Sequence, residues 1–78
     1  MNNKRIQINA SVLFGKPTIK GTRISVEQIL AALSEGMSSE EIINEFDISL
    51  EDIQACIEYA HKAVSRIHYV NHKDALHA

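Results

Sequence analysis

Ser38 to Ala60 reads SSEEIINEFDISLEDIQACIEYA, and the fold is decided there. Ser38 and Ser49 each stand before a run of apolar residues at spacings of three and four, and each has an acid three positions on, Glu41 and Asp52. In this capping-box spacing the serine hydroxyl and the side chain three residues later close the unpaired amides of a helix start, Asp being the weaker form. The first run turns Ile42, Ile43 and Phe46 to one side. The second aligns Leu50, Ile53, Ile57, Ala60, Val64 and Ile67. Only Asp47, Ile48 and Ser49 separate the runs, so they read as a helix-turn-helix.

Working upstream, Ser25 and Gln28 repeat the capping spacing, and Val26, Ile29, Leu30 and Leu33 follow the i, i+3, i+4, i+7 pattern of a buried helix face. Gly36 with apolar Met37 beyond it predicts a Schellman ending. Ile6 and Ile8 alternate with polar residues as in a half-buried strand, and Thr18-Ile19-Lys20 is a candidate second strand. The loop between them holds Val12-Leu13-Phe14 and Gly15-Lys16-Pro17, with Gly15 and Gly21 as bends and Ile19 and Ile24 as core anchors. A lone hairpin is marginal in water, so its apolar side must rest on the helices or on another chain. The expected fold is mainly α: a three-helix bundle with a helix-turn-helix (residues 25–70), preceded by a short β-hairpin (1–24) and followed by a polar tail (71–78).

The third helix is the longest, and its apolar side runs past what a small core can cover. Val64, Ile67 and Val70 are therefore candidates for contact with a second subunit, which predicts a homodimer; the simpler alternative is packing on the hairpin.

At 78 residues, 45% apolar and 23% charged, the chain has room for one small domain. A domain of this size buries only about 60% of its unfolded surface, which disfavours a deep substrate cleft and favours partner binding over catalysis. A single cysteine, Cys56, excludes an internal disulfide, and the N-terminal residues lack the apolar run of a signal peptide, so a cytoplasmic location is expected. No stretch approaches the roughly 20 apolar residues that cross a bilayer, so no membrane association is expected.

The net charge of -2 conceals a segregation. Residues 1–23 carry Lys4, Arg5, Lys16, Lys20 and Arg23 with no acid, residues 24–60 carry nine acids with no Lys or Arg, and residues 61–78 return +2. The cationic segment suits nucleic acid, whereas the acidic block repels phosphate and suits a basic protein surface. Arg23, just before the first helix, either caps an acidic helix within the chain or serves a ligand anion.

Chemistry-bearing motifs are thin. Gly15-Lys16-Pro17-Thr18 lacks the upstream Gly of a phosphate loop and has Pro where a magnesium-binding Ser or Thr belongs. Cys56 has no basic neighbour in sequence and reads as a buried structural thiol. His68 and His72 have the i, i+4 spacing of a metal pair, but no H-E-x-x-H arrangement accompanies them, and solvent-facing imidazoles are the default. Glu40-Glu41 and Glu51-Asp52 diverge on their helices and complement helix dipoles. No catalytic residue, metal or cofactor is therefore expected.

The helix-turn-helix invites a DNA reading, but the outer positions of helix three are Glu51, Asp52, Gln54, Ala55 and Glu58, which offer few donors to phosphates or base edges. Lys62 and Arg66 come too late to enter a groove in the usual way. Any contact with operator DNA is expected from Lys4, Arg5, Lys16, Lys20 and Arg23 on the hairpin, as a β-ribbon.

The segments GKPTIKGTRISV (15–26) and EGMSSEEIINEFDISLEDIQACIEYA (35–60) resemble the domain-of-unknown-function family numbered 433. Its members share G-K-P-x-I-[KR]-G-T-R-[IV]-x-V, then G-x-[ST]-x-E-E-I, then L-[ST]-x-E-D-I-x-A-x-x-Y-A. A Y/F-P pair common in the family is replaced here by Phe46-Asp47-Ile48, which bears on the turn before helix three. The resemblance implies a homeodomain-like three-helix fold and a non-catalytic, antitoxin-like role: binding and neutralising a toxin with a PIN-like ribonuclease fold, with repression of its own operon by the complex. Glu51, Asp52, Glu58, Val64, Arg66 and Ile67 are the expected partner-binding residues. The acidic helices would face the toxin's RNA-binding surface, with Arg66 or Lys73 reaching the carboxylates that hold the toxin's metal. The alternative is a stand-alone DNA-binding regulator.

Overall fold

The computed structural model describes residues 4–77, with side chains through residue 67. Strand β1 (Ile6–Gln7) pairs antiparallel with β2 (Thr18–Ile19), Ile6 opposite Ile19 and Gln7 opposite Thr18. Helices α1 (Val26–Ser34), α2 (Ser39–Phe46) and α3 (Leu50–His77) follow. The architecture is mainly helical, three helices behind a short hairpin.

All three helix starts use the serine device. Ser25 and Ser38 accept from the amides of Gln28 and Glu41, whose side chains accept in turn from the serine amides. Ser49 and Asp52 do the same, at 3.2 and 3.0 Å. The amide and hydroxyl of Ser38 hold the Glu41 carboxyl below its ordinary value. Helix α1 ends as the Gly36-Met37 pair predicts: Gly36 takes φ +96°, and the Met37 amide reaches back to the Ala32 carbonyl. Helix α2 ends on Asp47 in the left-handed region (φ 55°, ψ 51°), with the Ile48 amide donating to the Ile43 carbonyl. This aspartate makes the turn into α3.

The core consists of Ile19, Val26, Ile29, Ala32, Ile42, Ile53 and Cys56, with Ile6, Ile24, Leu30, Leu33, Met37, Ile43, Phe46, Ile48 and Tyr59 packed around it. Two expectations about facing are corrected. Ile8 is 64% exposed because β1 stops at Gln7, so the alternation ends before it reaches Ile8. On α3 the buried line passes through Ile53 and Cys56, leaving Leu50 and Ile57 nearly half exposed. A true 3.6-residue turn drifts away from a strict three-four alternation, and two short helices with a hairpin cover only part of α3's circumference.

The third helix leaves the bundle after Ala60. From His61 to Ile67 every residue is exposed, so Val64 and Ile67 do not pack on the hairpin. The helix continues to His77, through the stretch expected as a polar tail. The side chains of His68, Val70, His72 and Lys73 lie outside the described residues, and with them the histidine pair. At 1.5 Å per residue its 28 residues span about 42 Å.

Candidate interaction surface

The cationic segment and the acidic block meet inside the molecule. Arg5, just ahead of β1, places a guanidinium nitrogen 3.1 Å from an Asp52 oxygen, and Lys16 places its ammonium 3.3 Å from Glu27 at the start of α1. Burial pushes the Asp52 carboxyl up, but hydrogen bonds from the Ser49 amide, Arg5 and the Ser49 hydroxyl, with the Arg5 charge, outweigh it and hold Asp52 below its ordinary value. Two of the five residues expected on nucleic acid thus lie against helical carboxylates. Lys4, Lys20 and Arg23 are exposed and form no ion pair among the described residues.

The expected partner-binding residues are not one cluster. Glu51 is exposed, Asp52 is held by Arg5, and Glu58 is half-buried. Glu51 and Glu58, seven apart, share a side of α3, whereas Val64 turns to another side and Ile67 lies about 24 Å along the axis from Glu51. Arg66 is exposed beside Ile67. Val64 and Ile67, each 61% exposed, do sit together on the part of α3 that has left the bundle.

Where α3 departs from α1 it leaves an apolar groove of about 320 Å³, lined by Pro17, Val26, Leu30, Ala60, Ala63 and Val64, with Lys16 and Glu27 at its edge. A second hollow of about 640 Å³ adjoins it and shares Lys16, Ser25 and Glu27; it runs past Leu13, Phe14, Arg23, Gln28 and Ala31. Phe14 is wholly exposed, the most accessible large apolar side chain among the described residues. It sits in a tight turn, Leu13–Gly15, whose three residues all have positive φ, 49°, 58° and 84°. Gly15 adopts that region freely, but Leu13 and Phe14 each pay roughly 1 kcal/mol or more. The turn is fixed by its own hydrogen bonds, Gly15 amide to Val12 carbonyl and Lys16 amide to Leu13 carbonyl, while the Asn9 side chain accepts from both the amide and hydroxyl of Ser11. Sequence reading placed Phe14 in the loop and gave it no role. Two bulky apolar residues squeezed between a turn and Gly15-Lys16-Pro17 were the available signal.

Cys56 is buried, and that burial, with the Asp52 charge, pushes its thiol up to about 11. Among the described residues no three His, Cys, Asp or Glu side chains come together to hold a metal ion, and no helix is long and apolar enough to cross a membrane.

A capped three-helix bundle whose last helix outruns its core, behind a two-strand hairpin, defines a small helix-turn-helix domain. The chain belongs to the family described as protein of unknown function DUF433, whose model matches residues 6–60. It is similar to a crystal structure of a DUF433 member from Anabaena variabilis, with 27% identity and a TM-score of 0.73 over 83% of this chain. The match covers 65% of that longer protein. No curated protein matches the chain.

Proposed function

We propose that this protein is a non-catalytic, antitoxin-like partner of the cytoplasm, which binds and silences a PIN-like ribonuclease and, in complex with it, represses its own operon. The observation that carries the reading is the exposed stretch of α3 from His61 to Ile67, where Val64 and Ile67 stand 61% accessible on a helix that has left its bundle. Apolar side chains presented on a projecting helix are the usual means of laying a helix into a partner's groove. Glu51 and Glu58 on the same helix supply charge complementary to a surface built to hold RNA, and Arg66 beside the apolar pair suits the carboxylates of a metal-dependent nuclease. Co-expression with the product of the adjoining reading frame tests this. A single complex on size exclusion is expected; separate elution with the nuclease still active would end the reading.

A second reading, a stand-alone DNA-binding regulator, draws on Lys20 and Arg23, which are exposed and outside any ion pair among the described residues. Against it, Arg5 and Lys16 are turned to the protein's own carboxylates. A mobility-shift titration of the chain alone separates the two. Binding that weakens steeply with salt and is lost on combined Lys16, Lys20 and Arg23 replacement would favour DNA.

A further inference from the structure

The loop between β1 and β2 presents a rigid apolar point on a cationic face. Phe14 is wholly exposed, on a turn whose Leu13 and Phe14 backbones are held in the left-handed region. Such strain persists only where surrounding bonds enforce it, here from the Gly15 amide to the Val12 carbonyl and from the Lys16 amide to the Leu13 carbonyl. The ring is thereby aimed before any partner arrives. Arg23 lines the same hollow of about 640 Å³ as Leu13 and Phe14. Both Arg23 and Lys20, which follow β2 closely, are exposed and form no ion pair among the described residues. The acid lining the hollow, Glu27, is held 3.3 Å from Lys16, so that pair is neutral and Arg23 sets the sign of the face. Ser25 and Gln28, at the start of α1, also line the hollow and turn the positive end of the helix dipole towards it.

An aromatic point beside unpaired cations suits a polyanion built of stacked flat rings. Proteins that bind duplex DNA from the minor groove combine these parts: basic side chains hold the backbone while a Phe or Leu enters between base pairs and kinks the helix. An apolar peptide docked on this face would instead cover Arg23 without a counter-charge. Strands of two residues span only about 7 Å, too little to lie along a major groove as a ribbon, so the loop is the part of the hairpin that reaches the bases. We infer that Phe14 is a wedge that enters a base step of duplex DNA from the minor groove, with Arg23 and Lys20 on the flanking phosphates, so that the protein bends its operator. This rests on the operon-binding part of the proposed function and names the element that performs it. No described residue of α3 lines the hollow, so DNA here and a nuclease on Val64 and Ile67 are held without competing.

The test uses a duplex of about 40 base pairs taken from directly upstream of this reading frame, short enough to be nearly straight when free, with a fluorophore at each end. Anisotropy reads affinity and its salt dependence, and energy transfer between the ends reads the bend. The whole chain, alone or co-purified with the product of the adjoining reading frame, is expected to bend the duplex by about 20–90°. Phe14 and Arg23 are both exposed, so Phe14→Ala and Arg23→Gln are expected to fold, as checked by thermal melts. Phe14→Ala is expected to abolish the bend and weaken binding at least about tenfold with the salt dependence unchanged, because an apolar wedge displaces no counterions. Arg23→Gln is expected to do the reverse: the slope of log affinity against log salt falls by about one, while the saturated complex stays bent. A straight complex, a bend that Phe14→Ala leaves intact, or an Arg23→Gln slope equal to the parent's overturns the inference and leaves operator binding standing. No binding by either sample overturns both.

Discussion

The Arg5 guanidinium lies 3.1 Å from an Asp52 carboxylate oxygen, tying the chain ahead of β1 to the first turn of α3 across 47 positions of sequence. Asp52 also accepts the Ser49 amide, so one side chain both starts the long helix and anchors the hairpin. Such an exposed pair contributes about 0–1 kcal/mol by itself. The cap it shares adds about 1 kcal/mol.

The acid limb of stability should depend on this carboxylate. The folded protein holds Asp52 below its ordinary value of 3.8, so the unfolded chain binds the proton more readily. Its contribution is complete above the ordinary value and is lost as pH falls through the lower folded value. Asp52→Ala should cost about 1–2 kcal/mol at neutral pH and flatten the fall in stability below about pH 4, measured by urea unfolding at several pH values.

The turn between α2 and α3 rests on Asp47 with a left-handed backbone, a conformation glycine adopts without penalty. Asp47→Gly should therefore stabilise the fold by about 0.5–1 kcal/mol, less the flexibility glycine adds to the unfolded chain. A rise in thermal midpoint is expected; a fall would mean that the Asp47 side chain itself holds the turn.

Thr18 is wholly buried and its hydroxyl finds no hydrogen-bond partner among the described residues. A stranded hydroxyl costs about 1–3 kcal/mol, and valine fills nearly the same volume without one. Thr18→Val should raise unfolding free energy by about 1 kcal/mol in a denaturant titration. A loss would show that this hydroxyl bonds an ordered water.

Ile67 should separate binding from folding. It is 61% exposed, so Ile67→Ser is expected to change stability by no more than about 0.5 kcal/mol. If the end of α3 docks a nuclease, the same change should weaken that complex about tenfold by calorimetry. Unchanged affinity would remove Ile67 from the contact.

The helices were legible because their starts are written in single residues. Three serines, each with Gln, Glu or Asp three positions on, mark three helix starts, and Gly36-Met37 marks an end. Facing was less legible. Which residues of α3 are covered depends on how many neighbours a small bundle can supply, and periodicity alone does not count them; hence Ile57, expected on the buried side, is nearly half exposed, whereas Cys56 is buried as its lack of basic neighbours suggests. The ion pairs were not legible at their residues: the sequence suggests internal pairing only for Arg23, which forms no ion pair among the described residues, whereas Arg5 and Lys16, read as nucleic-acid contacts, make the pairs. For Phe14 the one signal was two bulky apolar residues beside Gly15-Lys16-Pro17, and it did not give exposure, because Leu13 and Phe14 take a left-handed backbone such residues rarely adopt.

The most direct test of the central claim is a titration of the purified chain into the purified product of the adjoining reading frame, which the proposal requires to be a PIN-like ribonuclease, following cleavage of an RNA substrate. The account predicts that cleavage falls linearly and stops near equal numbers of the two chains, and that Ile67→Ser shifts the end point to higher ratios. RNA cleavage unaffected by a large excess of this protein would contradict it.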